Sequence, residues 1–349
     1  MKRNVEKIIV EETIKKAFES IEESPERGAR NLLELARDVS NGRFQKRFFT
    51  QARKALDNGG SPYYDLVKDV VENVDHDVLT TFGLNLGYNG CTVGARLIRE
   101  REARDEVNIP WAMHLVAHER IEDDILDLFS NIIHQGEQIG IHAYFIYCGK
   151  NIHRLSSLAL DNNRSAFALF TKGEYVTNEV ANTISASKNA LLSVFYDENA
   201  KDACDLLRSH KLLYAMHLPY NDSYTIKDSF DKRMQEVAER FHPAFLFFCP
   251  RIDCSAKTKE VIHAKIIERR CAQVAPVIPF DVSEDQKAID SIISNGQRSL
   301  WIDQNGTVRF PEGEQPPYLA SEINLSKTTL YDALSIIETT QNKPMGTLQ

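Results

Sequence analysis

The residues best suited to soft-metal or nucleophilic chemistry are six cysteines, Cys91, Cys148, Cys204, Cys249, Cys254 and Cys271, and ten histidines. None of the cysteines forms a CxxC, a CxxxCxxC or a Cys/His zinc spacing. Cys148, His217, Cys249 and Cys254 nevertheless fall at the ends of apolar runs. If those runs are parallel strands, their ends share one mouth, where thiolate and imidazole suit zinc. The candidate metal set is Cys148, His217 and Cys249. The alternative is burial of thiols as small hydrophobes, which is enough for Cys204 and Cys271. A second group, Lys150, Asn151, Lys172, Asn221 and Arg251, follows the same runs and forms a candidate ligand-binding rim. Its cations favour an anionic ligand unless Glu174 and Asp197 neutralise them internally. The chain has no Walker-type phosphate loop, no GxSxG elbow and no HExxH, and no residue is assigned a catalytic role.

The elements that must position these residues change character along the chain. Up to about residue 105, apolar positions such as Ile8, Ile14, Phe18, Leu32, Leu33, Leu66, Val67 and Val70 return at helical spacing. Gly83, Gly87, Gly90 and Gly94 predict a tight bend between two helices, with an anion cradle as the alternative. Arg96, Arg99, Arg101 and Arg104 with Glu100, Glu102 and Asp105 predict a solvated helix face. From Trp111 onward, strands are expected at 111–116, 141–148, 166–171, 190–195, 212–218 and 244–249, alternating with amphipathic helices. Such a series requires parallel strands with right-handed crossovers, hence a sheet wound toward a barrel, a doubly wound open sheet being the alternative. Functional residues of such a barrel lie at the C-terminal strand ends. A helix over about 255–271, a hairpin at 299–310 turning at Gln304-Asn305-Gly306, and a helix from Ser326 close the chain.

The charged N-terminus lacks a secretory signal and no apolar run spans a membrane, so a cytoplasmic protein with reduced thiols is expected. A formal net charge of −8 without a basic stretch argues against a nucleic-acid groove, and no membrane contact is expected.

In order and spacing the chain resembles the radical S-adenosylmethionine superfamily, specifically bacterial members with a helical N-terminal extension and a SPASM-like C-terminal segment. The resemblance is carried by the phrase NLGYNGCTVGARLIREREARDEVNIPW at 85–111, by Cys148-Gly149-Lys150-Asn151 in the place of a GGEP motif, and by Thr171-Lys172-Gly173 in the place of TNG. It is also carried by Asn295-Gly296-Gln297-Arg298 with Trp301-Ile302-Asp303-Gln304-Asn305-Gly306-Thr307-Val308. The resemblance implies a partial (β/α)6 TIM-like barrel over 106–285, an all-helical extension over 1–105, and a degenerate SPASM-like segment with β-hairpin, helix and tail over 286–349.

The chain departs from the family where its chemistry resides. The family's cluster is held by three cysteines after the first strand, whereas this chain runs Ala117-His118-Glu119-Arg120 into helix. Lys150 stands near the place of the GGE glutamate, the stretch after the fourth strand is short, and Ile292 and Pro311 stand where auxiliary-cluster cysteines would be. The 4Fe-4S cluster and S-adenosylmethionine are therefore expected to be lost. The resemblance then implies a cluster-less pseudoenzyme that acts as a binding or regulatory partner of an intact relative or its peptide substrate. An enzyme with a non-radical, zinc-dependent mechanism and a sensor of an anionic small molecule are the two alternatives.

Overall fold

The computed structural model describes residues 2–39, 58–117, 124–223, 230–251, 253–296, 299–310 and 322–341. The loop expected to follow the first strand, His118-Glu119-Arg120, lies outside them, as do Gln297, Arg298 and Pro311.

The chain begins with helices α1 (Lys2–Glu23), α2 (Pro25–Val39), α3 (Pro62–Asn73) and α4 (His76–Gly83). Local sequence starts the last two. Ser61 Oγ accepts from the Tyr63 N–H with Pro62 in the first turn, and Asp75 accepts from the N–H groups of Asp77 and Val78. The expected bend at the glycines is not there. Leu84–Gly94 continues as a π-helix and passes directly into α5 (Ala95–Asp105). Gly83 and Gly94 have ordinary right-handed helical backbone, so these glycines serve packing instead of a turn. A Cβ on Gly94 would lie 2.2 Å from the Gly140 carbonyl oxygen, so the two backbones meet only because both residues are glycine.

Six strands arise where the apolar runs predict them: β1 (Ala112–Val116), β2 (Ala143–Tyr147), β3 (Ala166–Thr171), β4 (Ala190–Phe195), β5 (Tyr214–Tyr220) and β6 (Phe245–Pro250). Each pairs in parallel with the next in the sequence. Between them run α6 (Ile125–Ile139), α7 (Ile152–Leu155), α8 (Ser157–Asp161), α9 (Asn178–Ser187), α10 (Ala200–Ser209) and α11 (Phe230–Phe241). Side chains of one parity face these helices. Tyr144 Oη donates to Ile133 O of α6, Tyr214 Oη donates to Phe241 O of α11, and Phe248 stacks on Phe230. The opposite parity forms a concave face, curled enough that Phe170 on β3 meets Phe247 on β6 with ring centroids 5.7 Å apart.

The sheet extends beyond the six expected strands. After α12 (Ala256–Ala272) comes β7 (Ile278–Asp281), parallel to β6, and then α13 (Glu284–Ile293). The hairpin β8 (Leu300–Asp303) and β9 (Val308–Arg309) forms as its turn predicts, with Gly306 at φ 80°, and α14 (Leu330–Gln341) follows. The hairpin joins the main sheet, because β8 lies parallel beside β1. Among the described residues the strand order is β7-β6-β5-β4-β3-β2-β1-β8-β9, an α/β barrel-like sheet of nine strands. At the β7 edge, Ile278 and Val282 donate toward β6. The alternate residues offer no unpaired N–H: Val277 donates to Ala275 O, Pro279 has none, and Asp281 donates to Asp285 Oδ2. Another strand finds no free donor among them.

The N-terminal helices lie against the loops that enter the strands. Asn85 Nδ2 donates to the carbonyls of Asn163 and Ser165, Lys188 Nζ to Asp77 at 2.6 Å, and the Asp75 N–H to Lys211 O. Val74, Val78, Phe82, Cys91, Ala95 and Ile98 share one apolar core with the sheet, whereas Phe18, Ile21 and Val71 form a separate small cluster. This packing occupies the N-terminal ends of the strands. Glu102, expected on a solvated face, is 4% exposed, and its carboxylate accepts from the N–H groups of Ile109 and Asn295.

Candidate functional site

The concave face carries a continuous row of rings because parallel pairing places alternate residues of adjacent strands on one side. Trp301 of β8 stacks on His114 of β1 at 4.1 Å and 2°, and on Tyr147 of β2 at 5.1 Å. Tyr147 stacks on Phe170 at 4.7 Å, Phe170 meets the His217 edge at 5.2 Å, and His217 lies 5.5 Å from Phe195. His114 and Phe170 are buried, whereas Tyr147, Phe195, His217 and Trp301 remain partly exposed.

Both imidazoles of this row are hydrogen-bonded to their neighbours. Gln286 Nε2 donates to Ala112 O at 3.1 Å, which turns its Oε1 toward His114 Nε2. His114 therefore carries its proton on Nε2, leaving Nδ1 to accept from Tyr147 Oη at 3.3 Å. Burial pushes the His114 pKa down to about 4, so the ring is neutral at physiological pH. Trp111 reinforces the placement of α13: its backbone N–H donates to Asp290 and its indole N–H to Gln286 O.

His217 is fixed from the neighbouring strand. Its Nδ1 lies 3.1 Å from Ser193 Oγ. Burial lowers its pKa to about 3, opposed by a hydrogen bond to the Ser193 backbone that favours the protonated ring. Ser193 itself is fully buried.

A second buried cluster lies beside the C-terminal end of β7. Asp281 is fully buried, accepts from Tyr220 Oη at 2.6 Å and from the N–H groups of Ser283 and Glu284, and burial raises its pKa to about 6. Asp285, four residues on, accepts from Arg270 Nη2 at 2.8 and 2.7 Å and faces His263 Nε2 at 3.2 Å. Those partners outweigh burial and hold Asp285 below the ordinary carboxylate range.

The candidate metal residues are not brought together. Cys148 follows the last residue of β2 and turns its thiol back to the Ile146 carbonyl, whereas His217 and Cys249 have concave parity on β5 and β6. No group of three His, Cys, Asp or Glu among the described residues is placed to hold a metal ion. Burial raises the thiol pKa of both Cys148 and Cys249. The rim residues do lie where the strands end. Lys172 is 3.7 Å from Glu174 and Arg251 is 3.6 Å from Asp253, so both cations face nearby carboxylates. Lys150 is exposed on the turn after β2, Asn151 is buried there, and Asn221 Oδ1 accepts from the Ser223 N–H after β5. Thr171 Oγ1 donates to Gly149 O at 2.7 Å and ties two rim loops together.

Sequence reasoning missed Tyr147, Ser193, Gln286 and Trp301 as site residues. The alternation of AYFIY and ALLSVF could have placed Tyr147 and Ser193 on one face once strand direction was assumed. Nothing local marks Gln286, whose partner is 172 residues away.

Fold and site together define an α/β barrel-like protein with an aromatic concave face that holds two neutral imidazoles. No family model matches the sequence, and no curated protein matches it significantly. Among solved structures, Streptococcus suis SuiB bound to S-adenosylmethionine is 10% identical, with 67% of this chain and 68% of that chain covered, at a TM-score of 0.46. SuiB bound to its precursor peptide SuiA is 9% identical, with 67% of each chain covered, at 0.45. The 3-dehydroquinate dehydratase of Geobacillus kaustophilus HTA426 is 13% identical, with 65% of this chain and 91% of that chain covered, at 0.38. No helix among the described residues is long and apolar enough to cross a membrane.

Proposed function

We propose that this chain is a cluster-less pseudoenzyme of radical S-adenosylmethionine type, with a (β/α)6 core, that binds a peptide segment of a protein partner on its concave face. The partner is an intact relative or the peptide substrate of one. The observation that carries the binding reading is the row Trp301, Tyr147, Phe170, His217 and Phe195, most of it partly exposed at the sheet's concave side. Partly exposed aromatic rings on a rigid sheet favour docking, because they bury much area for little side-chain entropy. The reading is supported further by the sequence between β1 and α6, which has no cysteine to ligate iron. Lys172 and Arg251, each beside a carboxylate, do not favour the anion-sensing alternative.

Trp301 is its own reporter. The chain has two tryptophans, and Trp111 is buried away from the concave face. In a Trp111→Phe variant, titration with tryptophan-free peptides rich in Phe and Tyr is expected to change Trp301 fluorescence saturably. A Phe195→Ala, Phe170→Ala double substitution is expected to abolish the change. Absence of a saturable response in the parent site, or its persistence in the double variant, rejects the reading.

A further inference from the structure

The first turn of α13 is held on two sides. Toward β7, Asp281 Oδ1 accepts from the N–H groups of Ser283 and Glu284, both at 2.9 Å, and caps the helix. Asp285 Oδ2 in turn accepts from the Asp281 N–H at 2.8 Å, so the strand end and the helix start clasp each other. Toward β1, Gln286 Nε2 donates to Ala112 O at 3.1 Å, its Oε1 meets His114 Nε2, and its carbonyl accepts from the Trp111 indole at 3.0 Å. One turn of helix thus joins β7 to the aromatic row that includes His114.

Asp281 is the end of this link that can change charge. Besides the two N–H groups on Oδ1, Tyr220 Oη donates to Oδ2 at 2.6 Å. Three donors suit a carboxylate, and a proton arriving there competes with one of them. On Oδ2 it turns Tyr220 from donor to acceptor, and on Oδ1 it faces the two N–H groups. A neutral acid is also a weaker cap than a carboxylate, which the partial positive charge of a helix start favours. Protonation therefore loosens the start of α13.

We propose that Asp281 is a proton-operated latch: as a carboxylate it fixes the first turn of α13 and, through Gln286, the position of His114 on the concave face, and as a neutral acid it releases both. The latch governs how the row is held and does not depend on what the row binds. Burial brings the proton within reach, raising Asp281 to about 6 against the three donors, and the Asp285 carboxylate acts in the same direction as burial. The surrounding ionisable groups fall into three sets. On α12 and α13, His263 Nε2 lies 3.2 Å from Asp285, Arg270 Nη2 lies 2.7 Å from the same carboxylate, and Lys287 Nζ lies 3.0 Å from Glu284. On β6 and just after it, burial keeps Cys249 and Cys254 as thiols. On the concave face, burial, Cys249 and Asp281 all keep the Tyr147 hydroxyl un-ionised.

The test is a titration of the 15N-labelled full chain from about pH 5 to about pH 8, followed by NMR. His114 stays neutral over that range, because burial lowers its pKa to about 4, so any movement of its ring nitrogens reports its surroundings. The ring signals of His114 and the amide signals of Ser283 and Glu284 are expected to move together, with one midpoint near pH 6. His263, where burial opposes the charge and Asp285 outweighs it, shows its own larger ring transition. Asp281→Asn is expected to abolish the shared transition and leave that of His263. Tyr220→Phe removes a donor to the carboxylate and is expected to raise the midpoint by about one pH unit. Gln286→Leu is expected to erase the transition at His114 while Ser283 and Glu284 keep it. A flat His114 signal in the parent, the same transition in Asp281→Asn, or an unmoved midpoint in Tyr220→Phe overturns the proposal. Persistence at His114 in Gln286→Leu overturns it as well, since the link then does not run through α13. Should Asp281→Asn fail to fold, the Tyr220→Phe midpoint decides.

Discussion

Replacing Asp281 with Asn isolates the buried carboxyl beside the end of β7. Asp281 is fully buried against Tyr220, the N–H groups of Ser283 and Glu284, and the Asp285 carboxylate. Burial is the largest influence and raises its pKa from 3.8 to about 6. The folded chain therefore holds this proton over a range in which the unfolded chain has lost it. Stability from this group is full below the unfolded value and is lost as pH rises toward the folded one. A carboxyl that titrates about two pH units higher when folded removes about 3 kcal/mol of stability between about pH 4 and pH 6. Asn keeps an oxygen for the Ser283 and Glu284 N–H groups but cannot ionise. Unfolding free energies of parent and Asp281→Asn protein, from urea titrations at several pH values, are expected to differ by a gap that moves about 3 kcal/mol in favour of Asn across that window. Taking the difference cancels His114 and His217, whose lowered pKa values act in the opposite direction and destabilise the fold as pH drops below the ordinary imidazole value. A gap that stays constant from about pH 4 to pH 7 refutes the argument.

Gly94→Ala is expected to destabilise the fold by about 2–4 kcal/mol, because its Cβ would strike the Gly140 carbonyl oxygen at 2.2 Å and backbone cannot swing aside; a thermal shift close to zero contradicts this. Gln286→Leu leaves the His114 Nε2–H without its acceptor and is expected to cost about 1–3 kcal/mol while releasing the tautomer, which 15N spectra would detect. In the native protein only Cys271 is expected to react quickly with a thiol reagent, since it is exposed whereas the other five are buried, with Cys254 raised to about 11 chiefly by burial. Mass spectrometry that finds Cys148 or Cys249 labelled at the same rate would sink that prediction.

The parallel strands were legible because each apolar run carries β-branched or aromatic residues in a length that suits a buried strand, as in AYFIY and ALLSVF. β7 escaped because it is four residues long and contains Pro279, which ordinarily speaks against a strand and here serves an edge. The hairpin was legible from Asn305-Gly306, yet its place beside β1 was not, because no local pattern encodes a partner nearly two hundred residues away. The π-helix has the same origin: its glycines look like a bend until Gly140 is placed against Gly94. Glu102 reads as one charge among many on α5, and only the turn of the chain that brings Ile109 and Asn295 to it makes it a buried acceptor. At the site, the strand-end position of His217 was visible in the sequence, but its Ser193 partner and the Gln286–His114–Tyr147 chain are products of tertiary packing.

The claim that this barrel-like fold binds without radical chemistry is tested most directly by anaerobic reconstitution of the full chain with iron and sulfide, followed by desalting, iron quantification and incubation with S-adenosylmethionine and a strong reductant. Three thiolates from one short loop are what such a cluster requires, and the sequence between β1 and α6 supplies none. The expected result is no stoichiometric iron, no visible charge-transfer band and no 5′-deoxyadenosine. A cluster retained at one per chain, with reductive cleavage of S-adenosylmethionine, contradicts the account.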